Sequence, residues 1–253
     1  MAVNTQQLDG KQLVELMQLI EGADSVELKL TIPDADSRRT MAALELDPIE
    51  AQIRQVVFFD TPDLQLNDVG LVVRARRSQG AQDDSVIKLR PVVPAELSAD
   101  LRQTTDFNVE VDAMPGGYVC SASYKGKVQT GEVKQVLQGG QQIRKLFSKP
   151  QRAFYDAHAP EGLGIDDLTA LGPITVIKLK WQPHDFKRRM VAELWFYPDG
   201  SRILELSTKC LPGEAFQVAA ETRAFLATKD VDTTGEQQTK TKTALEFFAK
   251  RDD

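Results

Sequence analysis

The chain has 253 residues, 42% hydrophobic and 27% charged, with a formal net charge of −6. Those values exclude a disordered chain and a small disulfide- or metal-stapled one, and leave room for one large or two small domains. The acidic balance argues against a general DNA or RNA binder. No unbroken aliphatic and aromatic run exceeds four residues, as in Val56-Val57-Phe58-Phe59, so no membrane span is expected.

Residues 7–21 place Leu13, Leu16, Met17 and Ile20 at helical spacing, the pattern of a helix packing one face on a core. From Ser25 the period changes to two. Val26, Leu28, Leu30 and Ile32 fall on one face and Glu27, Lys29 and Thr31 on the other, until Pro33 ends the strand. Residues 37–46 fit a short helix with Ser37 as candidate N-cap. Strand alternation then returns at 53–60, at 69–77 with Arg74 and Arg76 on one face, and at 85–90 with Lys88 and Arg90. In 105–112, Asn108, Glu110 and Asp112 share a face opposite Phe107, Val109 and Val111.

Pro115-Gly116-Gly117 reads as a break, and 116–150 as an irregular, partly helical stretch. Strands resume at 173–181 with Lys178 and Lys180, at 189–197 with Arg189 and Glu193, and at 202–208 with Glu205 and Ser207, followed by Lys209. Helices over 213–228 and 236–250 complete the chain. Cys120 and Cys210 read as reduced thiols in or beside loops, and the N-terminus lacks a secretory pattern, which together predict a cytoplasmic protein. Two histidines cannot build a histidine-rich metal site, and no nucleotide-phosphate loop, GxSxG elbow, HExxH or EF-hand motif is present.

A polar strand face is ordinarily a solvated face, but these faces carry Lys, Arg and Glu rather than Ser, Thr, Asn and Gln. If the strands close into a barrel with helices over the apolar outer face, the charged face lines the lumen. Buried charges need partners, and a polyanion held with a divalent metal satisfies both signs. Lysine and arginine then bind phosphate oxygens while carboxylates hold Mg²⁺ or Mn²⁺ against them.

Several segments resemble the CYTH proteins, the triphosphate tunnel metalloenzymes. Val26-Glu27-Leu28-Lys29-Leu30 is similar to their ExExK strand, and Phe58-Phe59-Asp60-Thr61-Pro62-Asp63-Leu64-Gln65-Leu66 to their YFDTPDxxL segment. Gly70 to Arg76 resembles their GxxLRxR strand, Val86-Ile87-Lys88-Leu89 their TLK strand, and Lys178 to Lys209 their C-terminal half. The resemblance implies an α+β fold: an eight-stranded antiparallel closed β-barrel, the tunnel, with helices outside. Residues 25–253 would form this single domain, behind a helical extension over 1–24.

Carried over residue by residue, Lys29, Arg74, Arg76, Lys88, Lys178, Lys180 and Arg189 would bind phosphates. Glu27, Glu110, Glu193 and Glu205 would hold or orient Mg²⁺ or Mn²⁺, with Asp112 on the same face as Glu110. Lys29 and Glu27 are the candidate catalytic pair, Lys29 assisting proton transfer if its cationic neighbourhood lowers its pKa. Ser25 stands where the first glutamate of ExExK would fall, and Asn108 where an acid is usual, which implies weaker metal binding.

The expected ligand is triphosphate, polyphosphate or a nucleoside triphosphate, and a homodimer is compatible with the sequence. Three functions follow: hydrolysis of triphosphate, a class IV adenylyl cyclase reaction, or binding of polyphosphate or nucleotide without turnover. Lys240 and Lys242, at the start of the last helix, read as solvated surface, with reach to a phosphate as the alternative should that helix cap the barrel.

Overall fold

The computed structural model describes residues 9–233, 237 and 240–249. Nine strands fall in this range: β1 (Ser25–Ile32), β2 (Gln52–Asp60), β3 (Leu71–Ser78), β4 (Asp83–Leu89), β5 (Phe107–Met114), β6 (Gly117–Val128), β7 (Thr169–Trp181), β8 (Met190–Phe196) and β9 (Arg202–Cys210). The α-helices are α1 (Gly10–Gly22), α2 (Asp34–Ala43), α3 (Gln65–Asp68), α4 (Ala99–Arg102), α5 (Glu132–Leu137), α6 (Lys149–Asp156), α7 (Ala215–Thr228) and α8 (Lys240–Ala249). None of these helices is long and apolar enough to cross a membrane.

The strands close into one barrel in the order β1-β5-β6-β4-β3-β2-β7-β8-β9. This corrects the expected eight antiparallel strands in two respects. A ninth strand is present, and β1 pairs with β5 in parallel while every other pairing is antiparallel. The additional strand is β6, in the stretch read as irregular. Met114 pairs with Gly117, so Pro115-Gly116 is a two-residue hairpin turn rather than the end of the sheet, with Gly116 at φ 83° where a side chain would be strained. Cys120 accordingly lies on a strand, not in a loop, and is buried.

Two apolar sectors clothe the barrel. One packs the outward residues Val57, Phe59, Val73, Ile87, Val109, Val111 and Tyr124 under α1, α5 and α6. Its first helix starts at a capping box in which Asp9 accepts the Gln12 N–H at 2.8 Å and Gln12 returns the bond. The other packs Leu30, Ile32, Leu179, Ala192, Leu204 and Leu206 under α2 and α7.

A third apolar cluster lies inside. Val56, Phe58, Val72, Ile174, Val176, Trp195 and Ile203 share the inner faces of their strands with the charged residues, and α8 adds Ala244 and Leu245. In each of these strands the apolar residues sit toward one end and the charges toward the other. One part of the lumen is therefore a packed core, and the rest is left for charge.

Candidate functional site: a cationic lumen with an acid cluster

The charged part of the lumen encloses a cavity of about 270 Å³ lined by nine basic and five acidic side chains. The strand register explains how they meet. On β1 the inner residues are Glu27, Lys29 and Thr31, as the alternation predicts. The parallel seam sets Ser25 opposite Glu110 and Glu27 opposite Asp112. On the other side of β1, Lys209 of β9 lies opposite Glu27. Carboxylates from two strands thus converge although about eighty residues separate them in sequence.

Glu27, Glu110 and Asp112 each place an oxygen within 4.8 Å of the others. Asp112 bridges Lys29 at 2.8 Å and Lys88 at 3.2 Å, and Lys29 also reaches Glu27 at 3.3 Å. Glu110 pairs with Lys209 and accepts a hydrogen bond from Ser25 at 3.2 Å. The Ser207 hydroxyl donates to Glu27 at 3.0 Å. Burial alone would raise the Asp112 carboxyl, but Lys29 and Lys88 hold it at about 2. Burial opposes the charge on Lys29, yet Asp112 and Glu27 raise its pKa above the ordinary lysine value. The expectation of a lowered Lys29 is therefore wrong: its nearest charges are acids, and it stays an ammonium.

Arg74 and Arg76 project from β3. Arg76 pairs with Asp84 at 2.8 Å, whereas among the described residues Arg74 forms no ion pair and its buried Nε has no hydrogen-bond partner. Burial, with Arg76 beside it, pushes the Arg74 guanidinium down to about 10. Arg90 reaches the cavity because the entry of β3 lies against the exit of β4. Gly70 accepts the Arg90 N–H at 2.9 Å, and a Cβ on it (φ 74°) would fall 1.9 Å from the Arg90 carbonyl oxygen. Burial also lowers Lys88, Lys125 and Lys178.

Glu193 and Glu205 form a separate pair. Lys178 approaches Glu193 at 2.7 Å, and Lys240 contacts both acids, at 2.6 Å from Glu205. The surface reading of Lys240 is thereby corrected, because α8 carries it into the lumen. Lys180 and Arg189 do not join the set. Lys180 lies on the same face of β7 as Lys178 but beyond the last residue of β7 paired to β2, and Arg189 precedes β8; both are exposed and neither lines the cavity.

Two basic residues of the cavity lay outside the set expected from sequence. Lys125 lies on the unrecognised β6, whose alternation of Tyr118, Cys120, Ala122 and Tyr124 with Val119, Ser121, Ser123 and Lys125 was a usable signal. Lys240 had no local signal, because its position depends on where α8 docks.

Comparison with known proteins adds a fold. No protein-family profile matches the chain, and no curated protein matches by sequence. Among solved structures, HpAC1 from Hippeastrum, provisionally named an adenylyl cyclase and described as having a dominant triphosphatase activity, is 15% identical with a TM-score of 0.64. The likeness covers 87% of this chain and 94% of that one. A provisionally named adenylate cyclase from Bacillus halodurans is 14% identical with a TM-score of 0.59, over 87% and 97% of the two chains. The likeness shows that the chain shares the fold of these two proteins.

Proposed function

We propose that the chain is a metal-dependent phosphohydrolase acting on inorganic triphosphate, or on another substrate bearing a triphosphate, inside the barrel. The observation that carries the reading is Arg74, a half-buried side chain whose Nε is buried and lacks a partner among the described residues, and which lines a cavity with surplus positive charge. An unpaired buried charge is costly and persists where a ligand completes it. Arg74 and Arg76 would fork phosphate oxygens, while Lys29, Lys88 and Lys125 would act as point charges.

Glu27, Glu110 and Asp112 offer only carboxylate oxygens, the donor set of Mg²⁺ or Mn²⁺. When bound, such an ion supplies charge neutralisation along the phosphate chain and water of lowered pKa. Burial and the neighbouring Asp112 disfavour the charge on Glu27, but Lys29, Lys240 and Lys209 together outweigh them and Glu27 stays ionised. It can therefore orient an attacking water by accepting its proton in a hydrogen bond. Lys29, held as an ammonium, binds rather than acts as a base. A single tunnel unit over 25–253 in a cytoplasmic protein belongs to the same reading.

The triphosphatase activity described for HpAC1 supports hydrolysis, and the cyclase names of the neighbours support attack by a 3′-hydroxyl on the α-phosphate of ATP as the second reading. Phosphate release from tripolyphosphate with Mg²⁺ and then Mn²⁺ tests the first. Turnover with either metal is expected, and silence with both overturns hydrolysis. Cyclic AMP formed from ATP would select the cyclase, and binding retained in EDTA without turnover would select a non-catalytic module.

A further inference from the structure

Lys240 is held in place by more than its charge. It opens α8, and its ammonium stands 5.1 Å over the ring of Trp195. Its backbone carbonyl accepts the Tyr197 hydroxyl at 3.2 Å. Four and five residues on, Ala244 and Leu245 are buried in the inner apolar cluster. The ammonium touches one oxygen of Glu193 and one of Glu205, while Lys178 takes the second oxygen of Glu193. Two carboxylates thus meet two ammonium groups, and one of these, Lys240, is fixed in place by the packing of α8.

The cluster of Glu27, Glu110 and Asp112 is held differently. Its lysines, Lys29, Lys88 and Lys209, stand on strands that border the cavity, and the Lys209 side chain is 49% exposed. A phosphate chain entering the cavity offers these lysines a second anionic partner and frees the carboxylates. Lys240 has no such latitude while α8 stays packed.

We propose that Lys240 is the resident counter-cation of Glu193 and Glu205, withdrawing that pair from metal binding, so that the chain holds one divalent ion, at Glu27, Glu110 and Asp112. The inference rests on the triphosphate reading above and specifies which of its acids meet the metal. Lys240 acts through the two glutamates and is a positioning residue. An ammonium between two carboxylates supplies charge but no open coordination position for a phosphate oxygen or a water.

Equilibrium dialysis against Mn²⁺ and imidotriphosphate, a non-hydrolysable tripolyphosphate, with metal counted by elemental analysis, tests it without reference to turnover. The wild type should retain one Mn²⁺ per chain. Glu205→Gln should still retain one, Glu110→Gln should weaken retention at least tenfold, and Lys240→Met should retain two. Two ions on the wild type, loss of the ion in Glu205→Gln, or one ion on a folded Lys240→Met would overturn the inference. If Lys240→Met does not fold, the Glu205→Gln arm still decides. Absence of Mn²⁺ from the wild type would overturn the metal reading as well, whereas loss confined to Glu205→Gln would overturn this inference alone.

Discussion

Across the parallel seam, the Ser25 hydroxyl donates a hydrogen bond of 3.2 Å to Oε2 of Glu110. The serine occupies the position at which the motif it resembles carries a glutamate, so the acid cluster has one carboxylate fewer and one hydrogen-bond donor more. Its hydroxyl fixes the rotamer of Glu110 without adding charge.

Ser25→Glu should therefore act with opposite signs in the presence and absence of metal. Without metal, the new carboxylate faces Glu110 and should lower the Tm by about 2–4 °C, as a cost near 1 kcal/mol does for a chain of this size. With Mn²⁺, the added oxygen donor should tighten binding by about tenfold. Thermal melts with and without Mn²⁺ check both signs, and a variant indifferent to Mn²⁺ would contradict the placement of the metal cluster.

Arg74 predicts a conflict between stability and activity. It is half-buried beside Arg76 with no ion pair among the described residues, so Arg74→Met should raise stability by about 1 kcal/mol by removing an uncompensated charge. Triphosphate turnover should fall by about 10²-fold or more, the scale of losing one preorganised charge contact. Urea unfolding and phosphate release, measured on the same preparation, check the pair of effects. A destabilised Arg74→Met would show that the guanidinium has a structural partner.

Asp112 gives the acid limb of the stability curve. Its folded pKa of about 2 lies below the ordinary carboxylate value, so its contribution is complete above about pH 4 and is lost as pH falls toward 2. A depression of that size corresponds to roughly 2 kcal/mol. Urea midpoints between pH 5 and 2 should fall for the wild type, and this component should be missing in Asp112→Asn, which is already destabilised at pH 5 with Lys29 and Lys88 left short of an anion.

Cys120 should be chemically silent. Burial pushes its thiol up to about 11, and it is 1% exposed beneath the helices of the larger outer sector. Iodoacetamide at pH 8 should leave it unlabelled in the native protein and label it after unfolding, as mass spectrometry would show.

Much of the barrel was legible because its strands obey a strict period of two. Ser25–Ile32 and its inner face of Glu27 and Lys29 emerge as read, and so do Arg74, Arg76 and Lys88. The misses have physical causes. β6 alternates small residues, Cys120 and Ala122 outward against Ser121 and Ser123 inward, so hydrophobic contrast is weak although the pleat is regular. Lys180 has the correct parity but sits too far along its strand, since alternation assigns a face and not a depth. Lys240 owes its place to the docking of a distant helix, and nothing in its neighbourhood in sequence encodes that.

The parallel seam also bears on how the chain is made. β1 is the first strand of this barrel to leave the ribosome, yet both of its neighbours come later: Ser25 meets Glu110 across 85 residues, and Glu27 meets Ser207 across 180. No hairpin can shelter it early, and high-separation pairing of this kind folds slowly. Until β9 is synthesised, the segment Val26 to Ile32 keeps an unpaired edge able to add a strand from another nascent chain. The alternating Glu27 and Lys29 that later face the lumen would meanwhile make that edge a poor template for aggregation.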